Sequence, residues 1–128
     1  MAKYSKKSFV SYAKDAQWTT GLRPYFKYRD LGAKDATGGE TLVHVLRANQ
    51  ACEGPMGYHS HTVNFQMMIV LNGWARVYLE DIGEIRVEAG DGWYQPPGIK
   101  HELLEYSDDF ENIEITQPAE FPTHEESR

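Results

Sequence analysis

The sequence lacks most of the features that would commit it to a common alternative. There is a single cysteine, Cys52, in 128 residues. No disulfide can close within the chain, which argues against a stapled secreted scaffold. No apolar run approaches the ~18 residues of a membrane-crossing helix, so no membrane is expected as partner. Lys and Arg nowhere cluster and the formal net charge is −6, which argues against nucleic acid as a partner, since a phosphate backbone would be repelled. The basic opening from Met1 to Lys7 runs into Ser8–Asp15, which is too polar for the core of a signal peptide. A cytoplasmic location is the expectation. Long helical periodicity is missing as well, apart from a short helix that Phe9–Ala16 could form.

What is present is a succession of short β-type runs broken by Gly, Asn, Asp and Pro. Tyr25–Leu31 and Leu42–Ala48 read as strands, with a loop over Gly32–Glu40 broken at Gly38-Gly39. Asn72-Gly73, between Met68–Leu71 and Trp74–Leu79, reads as a hairpin turn. Asp81–Gly83 turns the chain into Glu84–Glu88, where Ile85 and Val87 alternate with charge as a half-solvated strand requires. Gly90–Gly92 and Pro96–Gly98 flank Trp93–Gln95, and His101–Tyr106 and Phe110–Ile115 complete the series. The expected class is an all-β sandwich or barrel over residues 25–117, preceded by an arm, 1–24, and followed by an acidic tail, 118–128, ordered only in part. The strands Asn64–Leu71 and Trp74–Leu79 are apolar on both faces. A second sheet covers one face and a second copy of the chain the other, so a homodimer is expected.

The chemistry concentrates in the five histidines. His59 and His61 stand two apart and project to one face of a strand, where both can hold one ion. His101 follows Pro96 and Gly98 and can meet them across a barrel lumen. Gln66, five residues after His61, has the wrong parity for one continuous strand and shares the lumen only if Thr62–Asn64 makes a turn or bulge. It would then offer a neutral oxygen. Three imidazole nitrogens and one oxygen suit a divalent transition metal (Fe, Mn, Ni, Cu or Zn) with positions open for substrate.

These residues resemble the two motifs of the cupin family. Gly54, four residues, His59-x-His61, four residues, Gln66, six residues and Gly73 are similar to the first motif, which has five residues before its histidines and Glu where Gln66 stands. Gly90, Pro96-x-Gly98 and His101 match the second, with Glu105 where the family has Asn. Sixteen residues separate Gly73 from Gly90, as in a compact single-domain cupin. The resemblance implies a jelly-roll (double-stranded β-helix) barrel with one metal on His59, His61, Gln66 and His101.

Such barrels serve dioxygenases, lyases, isomerases and non-catalytic binders, so fold leaves function open. The reading placed first is a metal-dependent, dioxygenase-like enzyme on a small organic molecule. A small-molecule sensor without turnover and a redox-neutral lyase or isomerase are the alternatives. Glutamine cannot take a proton as glutamate can, so acid–base candidates are sought elsewhere. Tyr94 and Tyr106 are the first, on strands that would wall the lumen with Tyr78, Trp74 and Trp93. Tyr58 and Phe65 flank the ligands as pocket wall, and Met67 and Met68 face opposite sides. His44 is a proton shuttle or a core or surface histidine. Glu102 or Glu105 could orient His101. His124 reads as exposed and Cys52 as structural.

Overall fold

The computed structural model describes residues 3–21 and 24–128. Eleven strands, in chain order, are β1 (Thr19–Thr20), β2 (Phe26–Asp30), β3 (Leu42–Ala48), β4 (His59–His61), β5 (Phe65–Asn72), β6 (Trp74–Leu79), β7 (Gly83–Glu88), β8 (Gly92–Tyr94), β9 (His101–Tyr106), β10 (Glu111–Gln117) and β11 (Thr123–Glu125). They form two antiparallel sheets that face each other. One has six strands in the order β1-β2-β3-β10-β5-β8, the other five in the order β11-β4-β9-β6-β7. This is the all-β two-sheet barrel that the spacing of turns predicts and the jelly roll that the resemblance implies.

Strict alternation drives the closure. Along β5 the residues Gln66, Met68 and Val70 are buried, and along β6 Ala75, Val77 and Leu79. Opposed across the barrel, Val70, Ala75, Val77 and Leu79 pack with Phe26, Val87, Tyr106 and Phe110 into one core. The rings of Phe26 and Tyr106 lie 5.1 Å apart. This apolar plug fills one end of the barrel and leaves the other end for polar side chains.

Four local expectations change. Asn72-Gly73 does not close a hairpin, because β5 pairs with β10 and β8 while β6 pairs with β7 and β9. The turn carries the chain from one sheet to the other. Only Gly73 takes a positive φ, +70°, and a side chain there would collide with Ser107 and Asp109. The bend is fixed by that crowding rather than by a two-residue hairpin. The segment Phe9–Ala16 holds only a 3-10 turn, Ala13–Asp15, and Phe9, Val10 and Tyr12 stay exposed. The loop over Gly32–Glu40 contains one helical turn, α1 (Ala33–Ala36). The acidic tail forms β11, which pairs with β4 in the register Thr123↔His61, His124↔Ser60 and Glu125↔His59. Two edge β-ladders, β1 on β2 and β11 on β4, extend the sheets beyond residues 25–117.

Candidate metal centre

His59 and His61 lie at the two ends of β4, and Ser60 between them turns the other way to donate to Glu126 at 3.0 Å. His101 opens β9, directly opposite His59 in the ladder. The three rings meet with centroids 4.3 Å (His59–His101), 4.8 Å (His59–His61) and 4.9 Å (His61–His101) apart. One ring nitrogen from each falls within 4.8 Å of the others.

The hydrogen bonds of these rings decide which nitrogen is the donor to a metal. His59 Nδ1 lies 2.7 Å from the Gly57 carbonyl and His101 Nδ1 lies 3.1 Å from the Ile99 carbonyl. A carbonyl only accepts, so Nδ1 carries the hydrogen and Nε2 keeps its lone pair. His61 Nδ1 has the Thr123 hydroxyl at 2.8 Å. An imidazole tied back at one nitrogen to present the other is the usual arrangement of a metal-binding histidine. Burial, aided by the charge of His59, lowers the pKa of His101 from 6.5 to about 4. That ring is therefore neutral, as a ligand must be, at any pH near 7. The donor set thus fits a divalent transition metal.

Gln66 reaches the same cavity because Thr62–Asn64 breaks the strand, as its parity demands, and carries the chain to the other sheet. Its amide is the middle of a chain of hydrogen bonds. Trp93 Nε1 donates to Gln95 Oε1 at 2.9 Å, Gln95 Nε2 to Gln66 Oε1 at 3.0 Å, and Gln66 Nε2 to Glu114 Oε2 at 2.8 Å. The other oxygen, Glu114 Oε1, meets His44 Nε2 at 2.6 Å. An indole N–H can only donate, which fixes the sense of every bond down to Glu114. Burial pushes the Glu114 carboxyl up, but the hydrogen bond and charge of His44, the amide of Gln66 and the charge of His61 outweigh it, and the group stays below its ordinary range.

Histidine cluster and amide chain share one cavity of about 510 Å³, walled mainly by Tyr28, Leu46, Met68, Leu103, Phe110 and Phe121. Phe121 sits edge-on to His61 at 5.1 Å.

Of the residues singled out from sequence, Trp93 and Met68 line this cavity, whereas Tyr94, Tyr106, Tyr78, Trp74, Tyr58, Phe65 and Met67 lie outside it. Tyr94 is 48% exposed, on the outward face of β8 beside Phe65. Tyr106 belongs to the core, donates to the Gln50 carbonyl at 3.1 Å, and burial pushes its pKa up to about 12. Tyr58 and Tyr78 stack under the Arg128 guanidinium, and Trp74 under that of Arg86. Glu102 accepts from the Gly57 amide and Arg128, and Glu105 from Arg76. His124 meets Thr62, and the half-buried Cys52 thiol points to the Gly54 carbonyl. The residues that sequence reasoning passed over are Glu114, Gln95, Phe121 and Thr123. Only the alternation in β10 signals Glu114, as an acidic residue in register with inward-facing Asn112 and Thr116.

No family model matches the chain. A TDP-4-oxo-6-deoxy-α-D-glucose-3,4-oxoisomerase from Aneurinibacillus thermoaerophilus is 38% identical over 61 residues, and the match covers 44% of this chain and 44% of that enzyme. The chain therefore matches less than half the length of that curated relative. Among solved structures, the polyketide cyclase RemF from Streptomyces resistomycificus superposes with a TM-score of 0.74 at 16% identity, covering 95% of this chain and 87% of RemF. An RmlC-like cupin from Shewanella frigidimarina gives 0.68 at 18% identity, covering 88% of this chain and 93% of the other. The two-sheet barrel of this chain therefore has the fold of the RmlC-like cupin and of RemF.

Proposed function

We propose that the barrel is a metal-dependent enzyme acting on a small, largely apolar organic molecule that carries a carbonyl or neighbouring oxygens. The observation that supports this most directly is the gathering of three imidazoles, each tied back through Nδ1, at the wall of a cavity of about 510 Å³. That volume suits a drug-sized ligand. His59, His61 and His101 hold the ion. Gln66 stands beside them, its oxygen keeping a second lone pair after accepting from Gln95 and its nitrogen donating to Glu114. A metal held there would supply Lewis-acid polarisation of a substrate oxygen. The chain's own contribution is to bind the apolar body of the substrate, exclude water and hold a carboxylate near the reacting atoms.

Redox-neutral chemistry, an isomerisation or cyclisation through proton transfer, is the reading the site supports best. The partial relative is an oxoisomerase, and one of the near-full-length fold matches is a cyclase. O₂-dependent ring or C–C cleavage on Fe(II) is the second reading, favoured by the apolar side chains that wall the cavity beside the three histidines. The protein acts in the cytoplasm as a homodimer, joined through the outer face of the six-stranded sheet, where Leu71 and Tyr94 are exposed.

Four measurements test this. Protein purified without chelator should contain about one equivalent of a transition metal by mass spectrometry. With catechols and 1,3-diketones an oxygen electrode should stay flat, while steady consumption would favour the second reading. No metal uptake on reconstitution would leave a barrel used only for binding. Light scattering at micromolar concentration should give the mass of a dimer.

A further inference from the structure

Glutamine at position 66 removes a proton acceptor from beside the histidines. The structure supplies another one from the neighbouring strand. β10 lies between β3 and β5, and on its inward face Glu114 stands level with His44 on one side and Met68 on the other. Its carboxylate lines the cavity. His61 and His101 line the same cavity. His44 stacks behind the carboxylate against the Tyr28 ring, with centroids 5.6 Å apart.

We propose that Glu114 is the catalytic base of this site, and that His44 is the positioning residue that holds its carboxylate. The inference rests on the reading of the barrel as a metal-dependent enzyme. Each carboxylate oxygen has two lone-pair directions. Oε1 uses one toward His44 and Oε2 one toward Gln66, so each keeps one that these bonds do not use. Glu114 thus combines two fixed hydrogen bonds with a place in the cavity wall. Glu111, on the same strand, shows the contrast: it pairs with Arg47 on the outward side, where the arginine is half exposed.

The substrate class follows from what the two groups can do together. A carbonyl oxygen placed at the histidine cluster puts the adjacent carbon toward Glu114. The C–H bond breaks, its proton goes to a Glu114 oxygen, and its electron pair forms the C=C bond of an enolate whose charge rests on the carbonyl oxygen. Glu114 then returns the proton to a different carbon or oxygen. Nothing is oxidised or reduced, and the carboxylate is regenerated. An α-hydroxyketone or 1,3-dioxo compound with an aromatic or alicyclic body satisfies both the polar strip and the apolar wall.

The test uses α-hydroxyacetophenone in D₂O. NMR follows loss of its CH₂ signal with the full chain loaded in turn with Mn, Fe(II), Ni and Zn. At least one metal form should accelerate exchange. Glu114→Gln, which keeps shape and hydrogen bonds, should slow it at least 100-fold while holding the same metal content and the same calorimetric affinity for the probe. His44→Gln should slow it about 10-fold with the same metal content. A second readout needs neither metal nor turnover. The metal-free wild type should show a downfield imidazole N–H resonance, lost in both Glu114→Gln and His44→Gln. Exchange at the wild-type rate in Glu114→Gln, with metal and probe still bound, would overturn the inference and leave the metalloenzyme reading standing. Absence of bound metal and probe in the wild type would overturn both. Exchange no faster than in buffer with every metal, despite bound probe, would overturn the role of Glu114 as base.

Discussion

The two walls of the cavity hold their polar groups in different ways. On the five-stranded sheet, each histidine is anchored separately: His59 to the Gly57 carbonyl, His101 to the Ile99 carbonyl and His61 to the Thr123 hydroxyl. On the six-stranded sheet, Gln95, Gln66, Glu114 and His44 are anchored to one another, with the Trp93 indole as the fixed end. The first wall is a set of independent posts, set by local backbone. The second is a linked chain in which each member's orientation depends on the next. Loss of one post should be a local event, whereas loss of one link should propagate.

The largest effect should come from removing posts. His59→Ala with His101→Ala should abolish metal binding entirely, by mass spectrometry and by titration, while Glu114→Gln on the opposite wall keeps it. Retention of metal in the double variant would dissolve the distinction between the walls. Next is pH. The His101 pKa is about 4 in the folded chain against 6.5 for an ordinary histidine. Between these values the unfolded chain binds a proton that the folded one does not. The contribution is thus complete above pH 6.5 and is lost as pH falls toward 4, by about 3 kcal/mol in metal-free protein. Denaturant midpoints at pH 7 and pH 4.5 measure it, and His101→Gln should lower the pH sensitivity over this range.

Gln66→Glu tests the linked wall. It removes the donor to Glu114 and sets a second carboxylate against the first. Metal-free stability at pH 7 should fall by about 2 kcal/mol and recover in part at pH 5, where one carboxyl takes a proton. Equal loss at both pH values would mean that the chain of amides is packing, not electrostatics. The smallest effect should be that of Thr123→Val, which loosens a single post. Metal affinity should weaken about 10-fold, with Trp93 and the opposite wall undisturbed.

The two walls also differed in how far they could be read. His59, His61 and His101 carry their meaning in local spacing, and the break at Thr62–Asn64 followed from the parity of Gln66 alone. The linked wall has no such signature. Glu114 is one acidic residue in an alternating strand, and its partner His44 lies 70 residues away in sequence. Pairing across that distance is settled by sheet order, which short-range pattern does not carry. The same limit explains Asn72-Gly73, whose composition suits a hairpin but whose flanking strands belong to different sheets. Thr123 was hidden inside an acidic tail because an edge strand of three residues leaves almost no periodicity. Tyr94 and Tyr106 drew attention as phenols on barrel strands, yet one faces outward and the other belongs to the apolar end.

The direction imposed by Trp93 has a consequence for proton traffic. An indole N–H cannot accept, so the amides of Gln95 and Gln66 are locked in one orientation, nitrogen toward Glu114. An amide nitrogen donates a hydrogen bond but does not surrender its proton near neutral pH. The row of glutamines therefore transmits polarisation without transmitting charge. In electrical terms it is an insulator placed at one terminal of the carboxylate. A proton that reaches Glu114 cannot leave along that row.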